Sequence, residues 1–247
     1  MGNNFLQINA KQYLNLDLDD DNLRLFEIYY QLVQEWNSTV NLTAISGYDE
    51  FMLKHILDSL VLNKWLNKFK DTSIDIVDVG TGAGFPGLPI KIINPAFNMW
   101  LIESNQKKTK FLNHVVDTLN LNQVTIINDR SESISKESDF REAFDVVLGR
   151  GISRIDVLSE LTLGLLKIGG IAVFHKGNNL ESELKESLQS INLMGGELKS
   201  NISYQISSDR LGTLVIIDKI NKTPDYLPRN PGIPVKRPLN NRFRSSL

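Results

Sequence analysis

The sequence contains no cysteine among its 247 residues. Disulfide bonds, thiolate metal sites and cysteine nucleophiles are therefore excluded, and such a chain is compatible with a reducing compartment. No apolar run approaches the ~20 residues that a membrane-spanning helix needs, and the first residues lack the basic and apolar regions of a signal peptide. We therefore expect a cytoplasmic protein that makes no contact with a membrane.

A large excess of charge is also lacking, since the formal net charge is −2 with 23% charged and 41% hydrophobic residues. Bulk charge therefore does not direct the molecule to nucleic acid, and any site for a polyanion must be a local patch. The length suits one large α/β domain with a small additional lobe.

The hydrophobic pattern predicts three parts: a helical N-terminal lobe (1–70), an α/β domain (71–220) and a basic C-terminal tail (221–247). Helices are predicted over 17–36 and 48–66 from apolar residues at helical spacing, which place Tyr29 on the buried face of the first helix and Phe51, Ile56 and Leu60 on that of the second. From residue 74 strands and helices alternate, with one of the helices over 154–167, which predicts a mostly parallel sheet with helices on both faces. The predicted strands are 74–79, 97–103, 123–128, 143–148, 170–175, 202–206 and 213–220. Only a short turn separates the last two strands, so we expect them to be antiparallel.

The N-terminal lobe holds two polar groupings. Four aspartates between Asp17 and Asp21 suit the capped start of a helix, and they do not follow a calcium-loop pattern, so no metal site is predicted. His55 and Asp58 lie three residues apart and could share a helix face. A capping or inter-lobe hydrogen bond is the simpler interpretation of that pair.

The central motif is a buried strand followed by glycines and then a helix that begins near Pro86. Asp78 lies inside the strand, and Gly80, Gly82 and Gly84 follow it. Strand, glycine turn and helix N-terminus together hold anionic or strongly hydrogen-bonding cofactors, because the backbone can approach a ligand without an intervening Cβ.

Two cofactors fit this loop. Gly82-x-Gly84-x-x-Gly87 matches the dinucleotide fingerprint, and Glu103 follows at the distance expected of a ribose-binding acid. S-adenosylmethionine needs the same acid for its ribose, a carboxylate for its ammonium group and a polar wall for adenine. Asp78 and the segment 129–132 supply these groups, so we favour S-adenosylmethionine over a nicotinamide dinucleotide.

The tail carries six basic residues, one acidic residue and five of the eight prolines. The prolines argue against a central strand or a helix. The tail is interpreted either as a solvated terminus or as a basic arm that binds phosphates.

Several blocks resemble one family over residues 20 to 239, the small-subunit ribosomal RNA guanine-N7 methyltransferases, also called the glucose-inhibited division protein B family. The long glycine block GTGAGFPGLP and the HILDS block are much more specific than a bare glycine motif. The blocks are Trp36-Asn37, Asn41-Leu42-Thr43, His55–Ser59, Asp78–Pro89, Lys107-Lys108-x-x-Phe111-Leu112, Phe144–Arg150, Lys176-Gly177 and Pro228–Leu239.

The resemblance implies a seven-stranded, Rossmann-like class I methyltransferase sheet whose last strand is antiparallel, with a helical N-terminal extension. It implies methyl transfer from S-adenosylmethionine to N7 of the guanine at position 527, in the 530 loop of 16S rRNA. The implied catalytic residues are Arg150, between cofactor and RNA, and Asn41. The expected cofactor residues are Asp78, Gly80, Gly82, Gly84, Phe85, Glu103, Ser104, Ser131, Glu132 and Arg150. The resemblance implies a phosphate contact for Lys176, and Arg229 and Lys236 are interpreted either as further phosphate contacts or as ordinary surface charges.

One departure concerns the loop after the fourth strand. The family usually has Ser-Arg-Ala there, whereas this chain has Gly149-Arg150-Gly151. The arginine is retained, but flanking glycines are expected to loosen its loop.

Other functions remain open on these residues. They are an S-adenosylmethionine-dependent methyltransferase of another RNA, a small molecule or a protein, and a non-catalytic RNA-binding protein with this fold. A small chain with one basic arm is a poor direct reader of naked RNA, so we expect the 30S ribosomal subunit, acted on by a monomer, to be the substrate.

Overall fold

The computed structural model describes residues 3–69, 72–177 and 180–239 of the chain. Within these residues seven strands form one sheet: β1 (Asp75–Val79), β2 (Asn98–Ile102), β3 (Val124–Ile127), β4 (Phe144–Arg150), β5 (Leu166–Lys176), β6 (Gly196–Ser207) and β7 (Arg210–Lys219). Their order in the sheet is β3-β2-β1-β4-β5-β7-β6. The described helices are α1 (Asn3–Leu14), α2 (Asp20–Val40), α3 (Tyr48–Phe51), α4 (Asp58–Leu60), α5 (Asn63–Leu66), α6 (Gly87–Ile93), α7 (Gln106–Thr118), α8 (Ser131–Ile134), α9 (Ile155–Thr162), α10 (Glu181–Leu193) and α11 (Ile233–Lys236).

The strand directions confirm the predicted fold class. β1 pairs in parallel with β4, β4 with β5, and β2 with β3, whereas β7 is antiparallel to β5. β6 and β7 are joined by a turn at Ser208 and Asp209, which is too short for a crossover helix. None of the helices in the described ranges is long and apolar enough to cross a membrane.

The chain divides into two compact units. Unit 1 comprises Met1–Ile74, Thr81–Asn128 and Tyr204–Leu211, and unit 2 comprises Asp75–Gly80, Asp129–Ser203 and Gly212–Leu247. The three-part division into lobe, domain and tail stays a prediction.

Helix α2 organises the N-terminal part of unit 1. Asp19 caps it by accepting a hydrogen bond of 2.7 Å from the Asn22 N–H, and Asp20 and Asp21 lie in its first turn. Negative charge there stabilises a helix N-terminus, so the acidic cluster has the capping role that was predicted. The helix runs to Val40, four residues beyond the predicted end. Its buried side chains are Leu23, Phe26, Tyr29, Leu32 and Val33.

The predicted second helix is interrupted by a different helical form. A π-helix (Met52–Leu57) lies between α3 and α4, and it contains the first residues of the HILDS block. Phe51, Ile56 and Leu60 are buried, as the periodicity indicated. Single π-turns inside α-helices often occur at functional sites. Helix α1 was not predicted.

Several predicted bounds in the α/β part of the chain differ from the structure. β5 begins at Leu166 instead of 170, and β6 spans Gly196–Ser207 instead of 202–206. The helix predicted over 154–167 ends at Thr162, because Leu166 already pairs with Phe144 as the first residue of β5. The tail contains the short helix α11, which the prolines had argued against. Pro234 lies in its first turn, where the missing N–H has no helical partner to lose.

The tail, as far as residue 239, is fastened to the rest of unit 2. The Arg141 guanidinium donates hydrogen bonds to the carbonyls of Thr223 (2.7 Å) and Leu227 (3.0 Å). The Glu142 carboxylate accepts the Thr223 N–H at 2.7 Å. Arg242 and Arg244, which contribute to the predicted basic arm, lie outside the described residues.

A fully buried lysine marks the junction between β7 and the tail. The Lys219 ammonium donates to the carbonyls of Leu163 (2.7 Å) and Met194 (2.8 Å) and to the Thr223 hydroxyl. The Glu142 carboxylate lies 3.5 Å away. Burial is the main cause that lowers the pKa of Lys219 from 10.5 to about 8, and Glu142 partly opposes it.

This lysine predicts a dependence of stability on pH. Between about pH 8 and pH 10.5 the unfolded chain holds the Lys219 proton while the folded chain releases it. The contribution of Lys219 to the free energy of unfolding should therefore rise with pH across this window, by up to about 3 kcal/mol. Urea unfolding of the wild type and of Lys219→Met at several pH values measures it. Parallel pH profiles for the two proteins would contradict the assignment.

Candidate active site

The glycine loop of unit 1 is a tight turn closed by its own backbone. The Thr81 carbonyl accepts hydrogen bonds from the N–H groups of Gly84 (2.9 Å) and Phe85 (3.0 Å). Gly82 has φ +63°, and a Cβ built on it would meet no atom within 4 Å. Position 82 therefore favours glycine because its backbone is left-handed, and not because a side chain would be crowded. The space beside its Cα is open to a ligand.

Glu103 holds this loop from the end of β2. One carboxylate oxygen accepts the Gly82 N–H at 3.1 Å, and the other accepts the Asn105 N–H at 2.8 Å. The side chain is buried. Each oxygen keeps a further lone pair, because an ionised carboxylate offers about four acceptor sites. A pair of vicinal hydroxyls such as those of a ribose fits these acceptors, and Ser104 beside them is exposed.

Aromatic side chains support the loop from below. The Tyr29 hydroxyl donates a hydrogen bond to the Ala83 carbonyl. A Cβ on Gly84 would lie 2.5 Å from the same hydroxyl, so Gly84 is required by crowding. The buried Phe85 ring stacks on His55 (centroids 4.5 Å, planes 6° apart) and on Tyr29 (5.3 Å). Phe85 therefore packs within this stack and supports the loop that was predicted to bind the cofactor.

The HILDS block contacts other parts of unit 1 through both of its predicted polar residues. His55 Nε2 lies 2.7 Å from the Thr43 hydroxyl. Asp58 accepts a hydrogen bond of 2.7 Å from the Tyr204 hydroxyl. These contacts give the block a structural role of the kind that the simpler interpretation expected.

Asn41 ends helix α2 in the left-handed region, with φ 51°. Asn tolerates this conformation better than most residues. The loop after it is held by the Asn37 side chain, whose oxygen accepts the N–H groups of Leu42 (2.8 Å) and Thr43 (2.9 Å). The Asn41 side chain is exposed, and its role toward RNA stays a prediction.

In unit 2, Asp78 and Gly80 occupy the end of β1. Asp78 is fully buried and is paired in parallel register with Leu148 of β4. Gly80 has φ +63°, and a Cβ on it would lie 2.9 Å from Ile152 Cδ1. Both crowding and backbone conformation therefore require glycine at this position.

Arg150 is the last residue of β4 and is paired in register with His175 of β5. A Cβ on Gly149 would lie 3.3 Å from both Leu158 and Phe174, so little space is left there. Gly151 has φ +68° with open space around it. The glycines that depart from the family pattern thus suit a packed strand end and a left-handed turn, and β4 positions the Arg150 backbone between them.

The adenine segment was predicted at Ser131 and Glu132, which lie in α8 and are buried. One Glu132 oxygen accepts the Gly232 N–H of the tail at 2.9 Å. The structure therefore gives Glu132 a partner within the protein, and its contact with adenine stays a prediction.

The three predicted phosphate-binding residues differ in their surroundings. Arg229 is paired with the buried Glu160, with Nε 2.8 Å and Nη2 2.5 Å from the two carboxylate oxygens. Lys176 lies 2.8 Å from Glu183 and donates to the Ser153 carbonyl at 2.9 Å. Lys236 is exposed on α11. Internal partners thus occupy Arg229 and Lys176, and only Lys236 is presented to solvent.

Sequence reasoning missed the supporting residues of the loop. Tyr29 was predicted only as part of a buried helix face. Its hydroxyl, which phenylalanine lacks, was the one sequence signal for its hydrogen bond to the Ala83 carbonyl. The stack of His55 on Phe85 joins residues 30 positions apart and left no local signal. In the described parts of the chain, no group of three or more His, Cys, Asp or Glu side chains could hold a metal ion.

Comparison with known proteins extends over nearly the whole chain. The family model for rRNA small subunit methyltransferase G (GidB) matches residues 22–210. The ribosomal RNA small subunit methyltransferase G of Lachnoclostridium phytofermentans is 40% identical over 241 residues, which is 97% of this chain and 98% of that protein. Its counterpart from Carboxydothermus hydrogenoformans is 40% identical over 226 residues, 91% and 94% of the two chains.

A solved structure supports the fold alone. TrmN from Thermus thermophilus superposes with a TM-score of 0.51 at 15% identity, over 68% of this chain and 53% of that one. The sequence matches are much stronger, since the family model covers more than half of the chain. They confirm the resemblance that the glycine, HILDS and tail blocks carry. The chain belongs to the rRNA small subunit methyltransferase G family.

Proposed function

We propose that the protein transfers a methyl group from S-adenosylmethionine to N7 of the guanine at position 527 of 16S rRNA. As a member of its family, it is an S-adenosylmethionine-dependent methyltransferase of ribosomal RNA. The names of the curated relatives specify the small subunit. The resemblance of the sequence blocks supports the choice of base and atom.

The observation that carries the proposal is the Gly82–Glu103 hydrogen bond of 3.1 Å. It places an acidic acceptor beside a glycine whose Cα is open to a ligand. A ribose that donates to the carboxylate would bind there at close range to the backbone. The residues present therefore fit S-adenosylmethionine.

The reaction requires no acid or base catalysis from the side chains. When bound, S-adenosylmethionine supplies an electrophilic methyl group on a sulfonium. Guanine N7 carries a lone pair and no proton, so it forms the new N–C bond as the S–C bond breaks and the bond electrons stay on sulfur. No general base is required, and the protein contributes by orienting the base and stabilising the charge that moves onto the purine.

The roles of the other residues follow from their predicted places. We assign the amino-acid end of the cofactor to the loop and to Asp78, the ribose to Glu103 and Ser104, and adenine to Ser131 and Glu132. Arg150 and Asn41 orient the guanine. Gly80 and Gly84 contribute through the backbone conformation of the loop, because neither position has room for a Cβ.

The RNA contacts of the tail centre on Lys236. Arg229 is engaged by Glu160 and supports α11 from inside unit 2. Lys176 is similarly engaged by Glu183. We propose that these two residues hold the RNA-facing segments in place and that a direct phosphate contact, if made, requires exchange of their carboxylate partners.

A cytoplasmic location and a monomeric state are part of the same proposal. The substrate supports the location, because small ribosomal subunits are in the cytoplasm. Gel filtration with light scattering at micromolar concentration measures the oligomeric state.

Replacement of Glu103 tests the cofactor site. Glu103→Gln keeps the size of the side chain, but its amide nitrogen cannot accept a hydrogen bond from the backbone N–H that it would face. We expect affinity for S-adenosylmethionine, measured by calorimetry, to fall about tenfold or more. Glu137→Gln makes the same change at an exposed position and should bind normally. Unchanged binding by Glu103→Gln would remove the ribose assignment.

Replacement of Arg150 separates chemistry from cofactor binding. Arg150→Ala should lower methyl transfer by about a hundredfold, because a base that is out of line with the methyl group reacts slowly, with a much smaller change in cofactor affinity. Arg150→Lys keeps the charge and should retain part of the activity. Full turnover in Arg150→Ala would show that the residue has no part in the reaction.

The substrate itself is tested with labelled S-adenosylmethionine. Small subunits that lack the modification should accept one methyl group, mapped to N7 of guanine 527, at least about tenfold faster than protein-free 16S rRNA. The assembled subunit presents the loop in the shape that a protein without strong base readout needs. Methylation of another base, or of a small molecule, would favour the alternative substrates. Binding of NADH without S-adenosylmethionine would refute the methyltransferase.

A further inference from the structure

Helix α7 of unit 1 carries basic residues that its own folding does not explain. Lys107 and Lys110 are exposed, and Lys108 is half-buried, within the first two turns. None of these three lysines has an ion-pair partner among the described residues. No acidic residue lies in the first turn of the helix. The arrangement is therefore a set of unpaired positive charges close to the loop that follows Glu103.

Helix energetics argue against a stabilising role for these charges. The positive end of the helix dipole lies at the N-terminus, where lysine is unfavourable. Lys107 and Lys110 are three residues apart, a spacing at which like charges repel. The residues four positions further on are Phe111 and His114, so neither lysine meets a helical acid. Helix stability therefore does not account for lysine at these positions.

The same helix face continues into an aromatic pair. His114 follows Lys107 and Lys110 at positions i+7 and i+4, which places the three side chains on one stripe. The His114 ring lies 5.5 Å from Trp36 with planes 31° apart. Trp36 also contacts Phe111, at 5.7 Å, and this contact fixes the tryptophan on the surface of α7. His114 is exposed and Trp36 is half-buried.

Unpaired lysines beside an accessible aromatic ring match the chemistry of single-stranded RNA. Lysines neutralise phosphates, and unstacked bases in loops stack on aromatic side chains. An acidic peptide would pair with the lysines but would make no contact that requires the Trp36–His114 ring pair. Trp36 lies in helix α2. Asn41, which has a predicted role in RNA binding, lies at the end of that helix, five residues after Trp36.

We propose that Lys107, Lys110, His114 and Trp36 form an RNA-binding stripe that holds a single-stranded segment of the ribosomal RNA next to the methylated base. The lysines contact its phosphates and the aromatic pair stacks one of its bases. The proposal rests on the proposed function and extends it, since it names a surface through which this protein would bind its RNA substrate. The weak net charge of the whole chain makes such a local surface necessary.

The double variant Lys107→Gln/Lys110→Gln tests the charges. We expect KM for small subunits lacking the modification to rise severalfold, with little change in kcat and none in affinity for S-adenosylmethionine. The logarithm of RNA affinity plotted against the logarithm of salt concentration should become shallower by about 0.7 to 0.9 for each lost phosphate contact.

The control removes the same charge elsewhere. Lys64→Gln/Lys185→Gln replaces two exposed lysines on α5 and α10, and it should leave KM and the salt slope near the wild-type values. Equal effects of the two double variants would overturn the proposal, because net charge alone would then explain them. The absence of any effect of Lys107→Gln/Lys110→Gln would overturn it as well.

The aromatic pair has its own readout. His114→Ala should weaken binding of a fluorescent 530-loop RNA about fivefold or more, the loss of a stacking contact, without a change in the salt slope. Trp36→Phe keeps an aromatic ring over Phe111 and should bind more tightly than His114→Ala. Normal binding by His114→Ala would refute the stacking role.

Direct RNA binding also separates this proposal from the proposed function. If the wild type binds the RNA through the stripe but transfers no methyl group to guanine 527, the function fails and the stripe stands. If methyl transfer is normal and both stripe variants behave as the wild type, the stripe fails and the function stands.

Discussion

A single carboxylate joins the glycine loop to the end of β2 and to the start of α7. Glu103 accepts the Gly82 N–H from the end of β2 at 3.1 Å. The second oxygen of Glu103 fixes the Asn105 N–H, where α7 begins. Loop, strand end and helix start are therefore tied to one side chain. The loss of that buried side chain would leave two backbone N–H groups without their acceptor in the protein.

The basic tail is held by acids and by buried carbonyls. Glu142 and Glu160 are paired with tail groups, and Arg141 reaches the carbonyls of Thr223 and Leu227. Glu132 accepts the Gly232 N–H in the same way. Part of the positive charge that suggested a phosphate-binding arm is thus used inside unit 2. The positive charge that is not paired inside unit 2 lies at exposed positions such as Lys236.

The sequence was sufficient for the number of strands, the mostly parallel sheet and the glycine loop, because each depends on local pattern: apolar runs, glycine spacing, and the distance from Gly82 to Glu103. It was not sufficient for the bounds of the last three strands. It could not place contacts that join distant positions. The Arg229–Glu160 pair spans 69 residues, and the Tyr29 hydroxyl meets Ala83 across 54. Local patterns also misjudged where helices end, since the pairing of Leu166 with Phe144 ends α9 early. The roles of Asp78, Ser131 and Arg150 depend on where the cofactor and the RNA bind. A local sequence pattern carries no information on those positions.

The two glycines around Arg150 have a consequence for how this chain can evolve. Gly151 adopts φ +68°, where any residue with a Cβ is strained by about 1–2 kcal/mol. Gly149 has Leu158 and Phe174 within 3.3 Å of the place a Cβ would take. Gly151→Ala, a change toward the usual Ser-Arg-Ala, would therefore make this protein less stable, and Gly149→Ser would require Leu158 and Phe174 to shift. Packing and backbone conformation thus restrict both positions beside Arg150, independently of the reaction.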